Sequence, residues 1–141
     1  AYLEKDGLES SIYVAVNTLE YLKKSGRVTA AGAAIGTILN IKPVLQIQGG
    51  KLDAYRKARG MRPAMQTMIG GLKHDQVGRF AGQKLTIRAA YSGDAEAGAA
   101  WQAELQKAFP EMTIGLDPLP ISISCHTGEG ALGVGMMKDV F

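Results

Sequence analysis

Apolar positions recur along this chain in two rhythms, one of three to four residues and one of two, and the changes between them mark the elements. Ser11 to Val16 is a short β-prone run. Asn17 or Thr18 can then cap a helix that opens at Leu19 and ends near Gly26. A second helix is expected from Thr29 to Leu39. Its small residues Ala30, Gly32, Ala33 and Gly36 leave room for another backbone or a ligand, and Ile35, Ile38 and Leu39 form an apolar edge. At Pro43 the period falls towards two, and Gly49-Gly50 separates two short β-like runs, up to Gln48 and from Lys51 to Tyr55. That pattern reads as a hairpin whose turn needs positive φ at both glycines.

The longer rhythm returns from Arg62 to Lys73, with Pro63 in the first turn, where a missing N–H does no harm. Met61, Met65, Met68, Ile69 and Leu72 lie on one stripe of that helix. The stripe is either plain core or the flexible wall of an apolar pocket, because methionine fits varied shapes. Lys84 to Tyr91 reads as a central strand, Gly93-Asp94 ends it, and a helix follows from Ala95 to Phe109 with Trp101, Leu105 and Ala108 on one face. Pro110 closes that helix. Met112 to Leu116 is a further strand and Ile121 to Ser124 the last. The expected class is α/β in the broad sense, an α+β layered domain with helices packed on a mixed sheet.

A length of 141 residues suits one domain spanning residues 1–141, large enough for a core of its own. With 46% apolar and 21% charged residues, disorder is excluded as an expectation. The net charge of +3 permits an anionic partner without demanding nucleic acid. The uncharged run from Val28 to Ile41 is shorter than a membrane span, so no membrane span is expected. The N-terminus lacks the basic-then-apolar pattern of a signal peptide and starts without methionine, as a piece of a longer protein would. A single cysteine excludes an internal disulfide and suits the reducing cytoplasm. Cys125 falls within the last expected strand and is read as a buried, inert thiol.

Candidate chemistry concentrates in the tail, where that strand feeds into His126, Thr127 and Gly128 at the start of a glycine-rich loop. An imidazole and a hydroxyl there are placed to receive an acidic group, and glycines let backbone N–H groups come close to it. One cysteine and two distant histidines close no zinc site, and no calcium loop, Walker loop or nucleophile elbow is present. No pair of carboxylates is spaced for acid–base work. The other histidine, His74, reads as a solvated helix end. A basic cluster of Lys51, Arg56, Lys57, Arg59 and Arg62 is either a solvated surface or a docking face for an acidic partner. Nucleic acid is not expected, since Tyr55 is the one aromatic within the cluster available for stacking.

Four segments together resemble the DegV family. Asn17-Thr-Leu-Glu-Tyr-Leu-Lys-Lys-Ser-Gly-Arg-Val resembles its D-T-L-x-Y-L-x-K-G-G-R-I segment, and Gly36-Thr-Ile-Leu-Asn-Ile-Lys-Pro-Val-Leu-Gln-Ile-Gln-Gly-Gly-Lys its G-x-L-L-x-I-K-P-I-L-x-x-x-D-G-K. Lys57-Ala-Arg-Gly is similar to K-V-R-G, and Cys125-His-Thr-Gly-Glu-Gly-Ala-Leu-Gly to T-H-T-G-P-G-A-L-G. Glu129 stands where the family has proline, and Ser25 where it has the first glycine of G-G-R.

The resemblance implies a protein that is not itself an enzyme, with no metal or cofactor, which holds one long-chain fatty acid for a fatty acid kinase catalytic subunit. It implies two α/β domains, with the acyl chain buried in the second and the carboxylate near their junction. This chain resembles the second domain; the N-terminal DegV domain would be missing. By the same resemblance His126 and Thr127 lie beside the carboxylate, and Arg27 and Arg59 lie near the head group or the kinase docking surface. Arg56 and Arg62 are assigned to the docking surface from the basic cluster alone. Ile35, Ile38 and Leu39 belong to the acyl tunnel. Met65, Met68 and Ile69 are assigned to the tunnel from the apolar stripe alone. The alternative is an interaction module that docks an acidic macromolecule through its basic residues and binds no lipid.

Overall fold

A computed structural model describes residues 2–26 and 41–139. The expected helix from Thr29 to Leu39 lies outside these residues, and with it Arg27, Ile35, Ile38 and Leu39. The elements are α1 (Tyr2–Glu9), β1 (Ser11–Ala15), α2 (Glu20–Lys24), β2 (Ile41–Gln48), β3 (Lys51–Arg59), α3 (Met61–Val77), β4 (Leu85–Tyr91), α4 (Ala95–Ala108), β5 (Ile114–Pro118), α5 (Ile121–Thr127) and β6 (Leu132–Lys138).

The strands form one mixed six-stranded sheet in the order β3-β2-β1-β6-β4-β5. β1 is antiparallel to β2 and β6, β4 is antiparallel to β6, and β4 and β5 are parallel, with α4 as their crossover. The turn of the β2–β3 hairpin carries φ of 58° and 74° at Gly49 and Gly50, values that side chains resist and glycine accepts. β3 is an edge strand, and its exposed Lys51, Arg56, Lys57 and Arg59 discourage pairing with a further strand.

Because side chains alternate along a strand, the sheet has two chemically different faces. The first carries Tyr13, Ala15, Val44, Ile87, Leu132, Val134 and Met136, on which α3 and α4 pack with Met68, Leu72, Trp101 and Leu105. α4 starts on a side-chain cap, with the Asp94 carboxylate accepting from the N–H groups of Glu96 and Ala97 at 2.9 and 3.3 Å. The second face carries Val14 and Leu45, and a smaller cluster forms there with Val16, Leu19 and Leu22.

Three expectations are corrected. Ile121 to Ser124 is the first part of α5, not a strand. The Ile-Ser-Ile-Ser alternation imitates a strand, but Ile121 is 83% and Ile123 45% exposed, so the pattern buries nothing. Pro120 starts the turn instead, with its carbonyl accepting from Ser124 N–H at 2.9 Å. Cys125 therefore rides on a helix and is exposed, not buried. The last strand is β6, within the glycine-rich stretch expected to be loop. Gly133 and Gly135 lie on the second face while Leu132, Val134 and Met136 fill the first, and the Gly133 carbonyl accepts from the Trp101 indole N–H at 2.7 Å.

Candidate functional site

β1 and β4 finish where β6 begins, because both run antiparallel to it. The loop of residues 128–130 enters β6 at this end of the sheet, carried there by α5, which packs against α2. Gly128 ends α5 at φ 74°, and its N–H donates to the Ser124 carbonyl at 2.8 Å. A Cβ on Gly128 would stand 2.5 Å from Cδ2 of Tyr21, so the α2 ring occupies the space of a side chain. Gly130, at φ 78°, abuts the Asn17 side chain in the same way, and its N–H donates to the Ser92 carbonyl at 2.9 Å. Ser92 Oγ, which is buried, donates to the Gly128 carbonyl at 2.8 Å.

These bonds correct one part of the expected chemistry. The N–H groups of Gly128 and Gly130 are used inside the chain, so neither forms an amide cradle for an anion. Their glycines serve close packing instead. The group left over is His126. It lies in the last turn of α5, and among the described residues its buried Nδ1 has no hydrogen-bond partner. A buried nitrogen without a partner is costly, by about 1–3 kcal/mol, unless something supplies one. Beside it the buried Thr127 hydroxyl donates to the carbonyls of Ile123 and Gly128 over long distances of 3.4 and 3.5 Å. The imidazole has a hydrogen bond to offer an acidic oxygen, and the hydroxyl can exchange its long bonds for a shorter one. They offer no nucleophile–base pair. The carbonyl end of α5 carries partial negative charge, so attraction for an anion has to come from the side chains rather than from the helix. Glu129 is exposed, and its methylenes lie against Gly93.

The remaining candidates separate by face. Met68 and Ile69 are buried in the first-face core and Met65 packs against it, on the opposite side of the sheet from α2. The stripe is thus core, and the sheet stands between it and the Tyr21-packed loop. On β3, Arg56 pairs with Val44 and so shares the first face, whereas Arg59 pairs with Ile41, whose side chain joins the second-face cluster. Arg62 is exposed in the first turn of α3. His74 is exposed near the end of α3, as its polar neighbours predict. Asn17, Tyr21 and Ser92 were missed as parts of the site. Ser92-Gly93 directly after a strand was the available signal, since a small polar residue at a strand end often anchors the next loop. Among the described residues no group of three His, Cys, Asp or Glu side chains is placed to hold a metal ion, and no helix is long and apolar enough to cross a membrane.

Fold and site define a mixed α+β domain with a locked loop at one end of its sheet, beside an imidazole nitrogen that has no partner among the described residues. Residues 4–139 match the family described as "Uncharacterised protein, DegV family", and the chain belongs to that family. A DegV domain-containing protein of Listeria monocytogenes is 32% identical over 135 residues, covering 94% of this chain and 46% of that protein. A fatty acid-binding protein of Thermotoga maritima is 32% identical over 122 residues, covering 86% of this chain and 41% of that one. The solved structure of a fatty-acid-binding DegV family protein from Thermus thermophilus superposes with a TM-score of 0.80 at 31% identity, covering 98% of this chain and 48% of that chain. The chain spans about half the length of the relatives it matches.

Proposed function

We propose that this chain is the acyl-holding half of a cytoplasmic fatty-acid-binding protein, with a carboxylate held at His126 and Thr127. The buried Nδ1 of His126, without a partner among the described residues, carries this reading. A carboxylate oxygen is an acceptor of the right kind, and it removes the cost of leaving that nitrogen alone. The fatty-acid-binding relatives from Thermotoga maritima and Thermus thermophilus support the ligand class.

The acyl chain runs along the second face of the sheet, starting where loop 128–130 enters β6. Gly133 lies there between Val14 and Ala90, and Gly135 between Ile12 and Arg88. A Cβ at either glycine would meet nothing nearer than 3.6 Å, so the backbone does not demand glycine at these positions. What glycine provides is a low floor in the middle of the face. The segment bearing Arg27, Ile35, Ile38 and Leu39 joins α2 to β2, whose flanking Leu22 and Ile41 both belong to the second-face cluster. That placement supports those residues as the other wall. Burying about fifteen methylenes contributes on the order of 10 kcal/mol before ordering costs, so the polar head need only orient the ligand.

The bound acid is presented to a fatty acid kinase, with Arg59 and Arg62 as the docking residues. Arg56 lies on the first face and lines a separate recess there, so it is left out of that set; Arg62 is kept because it is exposed just after β3, three residues beyond Arg59. The half of the protein that the relatives carry and this chain does not completes the head-group site. Native mass spectrometry of delipidated protein with palmitate tests the ligand assignment. His126→Ala is expected to lower retention by about ten-fold or more, the worth of one charge-assisted hydrogen bond. Equal retention by both proteins removes His126 from the site.

A further inference from the structure

A second polar recess lies on the other face of the sheet. It has a volume of about 560 Å³ and is formed between β1, β2 and β3 and the end of α3. Its floor holds a hydroxyl–carboxylate pair deep in the protein. Asp75 is 3% exposed and Tyr13 1% exposed, and the Tyr13 phenol donates to Asp75 Oδ2 at 2.6 Å. Among the described residues this is the only hydrogen bond of that carboxylate. Gln46 Nε2 donates to the Tyr13 oxygen at 3.3 Å. Two guanidinium groups, Arg56 and Arg79, line the recess, and among the described residues neither forms an ion pair.

Three features mark this recess as built for a ligand rather than left over from packing. Asp75 continues the apolar stripe of α3 three residues beyond Leu72, where a leucine would fill the space without burying charge. Gly71 is needed for the pair to form, since a Cβ there would stand 2.8 Å from Cζ of Tyr13. The third feature is a β-bulge in β3. Leu45 pairs with Ala54 while Val44 pairs with Arg56, which leaves Tyr55 as the extra residue. Neighbours on a regular strand point to opposite faces, yet Tyr55 and Arg56 both line this recess. The guanidinium of Arg56 also stacks on the Tyr55 ring, 5.0 Å from its centroid, which holds it in place.

We infer that this recess binds a phosphate monoester carrying hydroxyl groups, a sugar phosphate in chemical class. Arg56 and Arg79 attract the phosphate, since a guanidinium fork matches its geometry. The buried Asp75 repels a bare anion from the floor but accepts a hydroxyl, so the ligand has to present both groups at once. Arg79 is already oriented, donating to Ser11 Oγ at 2.6 Å and to the Glu9 carbonyl at 2.9 Å.

Calorimetric titration of the chain with ribose 5-phosphate, ribose and inorganic phosphate tests this. Saturable binding of ribose 5-phosphate is expected, tighter than that of inorganic phosphate, with ribose showing no heat of binding at the same concentration. Arg56→Ala, an exposed change clear of the core, is expected to weaken it about ten-fold or more. Asp75→Asn still accepts from Tyr13 and is expected to reduce the affinity to that for inorganic phosphate. Absence of binding at millimolar ribose 5-phosphate overturns the inference. So does equal binding of ribose or inorganic phosphate, or an affinity that Arg56→Ala leaves unchanged.

Discussion

Asp75 and Tyr13 show how much one buried pair constrains its surroundings. The phenol reaches the carboxylate only because Gly71 has no side chain. Gly71→Ala gains about 1 kcal/mol of helix propensity. It also forces an overpacked contact, 2.8 Å between the new Cβ and Cζ of Tyr13, that costs about 1–3 kcal/mol and pushes the ring from its place beside Asp75. A lower urea midpoint is the expected result; an unchanged or higher one would mean that the ring yields. Tyr13→Phe leaves Asp75 without its donor and should cost about 1–3 kcal/mol in the same assay.

Burial, followed by the bond to Asp75, holds the Tyr13 proton well above the usual tyrosine range. The folded state therefore keeps a proton that the unfolded chain releases near pH 10 or so. The stability this contributes is fully present below that pH and declines as pH rises past it. Chemical denaturation across alkaline pH should show the decline in the wild-type chain and a flatter profile in Tyr13→Phe. Parallel profiles would contradict the assignment. Nothing in the periodicity announced this pair. Asp75 reads as one more polar residue after Lys73-His74, and its partner lies 62 residues earlier in the chain.

At the scale of elements, burial decides between patterns that the sequence leaves alike. The alternation of Ile121 to Ser124 and that of Leu132 to Met136 look equally strand-like. The second is a strand because Leu132, Val134 and Met136 bury against α3 and α4 while β1 and β4 supply partners on both sides. The first has no such partners and coils behind Pro120. The hairpin and α4 were legible because their signals are local: a Gly-Gly turn, and a helical period that opens just after Gly93-Asp94. The stripe of α3 was legible as a stripe but not as core, because methionine suits a pocket wall equally well. The head-group loop was legible only in part. Its histidine stood out, but the bonds that use up the amides of Gly128 and Gly130 come from Ser124 and Ser92, and only the fold brings Ser92 there.

The glycines of β6 give the acyl path an element-scale test. Gly135 has an ordinary strand conformation, and a Cβ there would meet Met137 and Ile12 only at normal contact distance, so Gly135→Leu places its side chain over the floor. Thermal stability should change little, while palmitate retention falls sharply because the side chain fills the floor. Full retention in a folded Gly135→Leu protein would move the acyl chain off this face.

Among the described residues the main core lies on the first face of the sheet, and the smaller second-face cluster gathers around α2. Arg88 and Asp117 meet on that second face at 2.7 Å, over the space that Gly115 leaves, with both side chains about half exposed. An exposed pair of this kind contributes little to stability. The pair makes the β4–β5 end of the face polar, so the acyl path proposed above is confined to the stretch over β1 and β6. The docking assignment belongs to this scale as well. Arg59→Glu should impair phosphoryl transfer to the bound acid in the presence of a fatty acid kinase more than it impairs palmitate retention. Equal loss of both would place Arg59 at the lipid instead.

The most direct test is native mass spectrometry with palmitate, on this chain and on a version joined to the half that its relatives carry, each with and without His126→Ala. One bound acyl chain on the joined protein, diminished by His126→Ala, is the expected result. Its presence on the shorter chain as well would show that this half holds the acyl chain unaided. Absence of palmitate from every form, with the proteins folded, would contradict fatty acid binding and favour a domain that docks an acidic macromolecule through its basic edge strand.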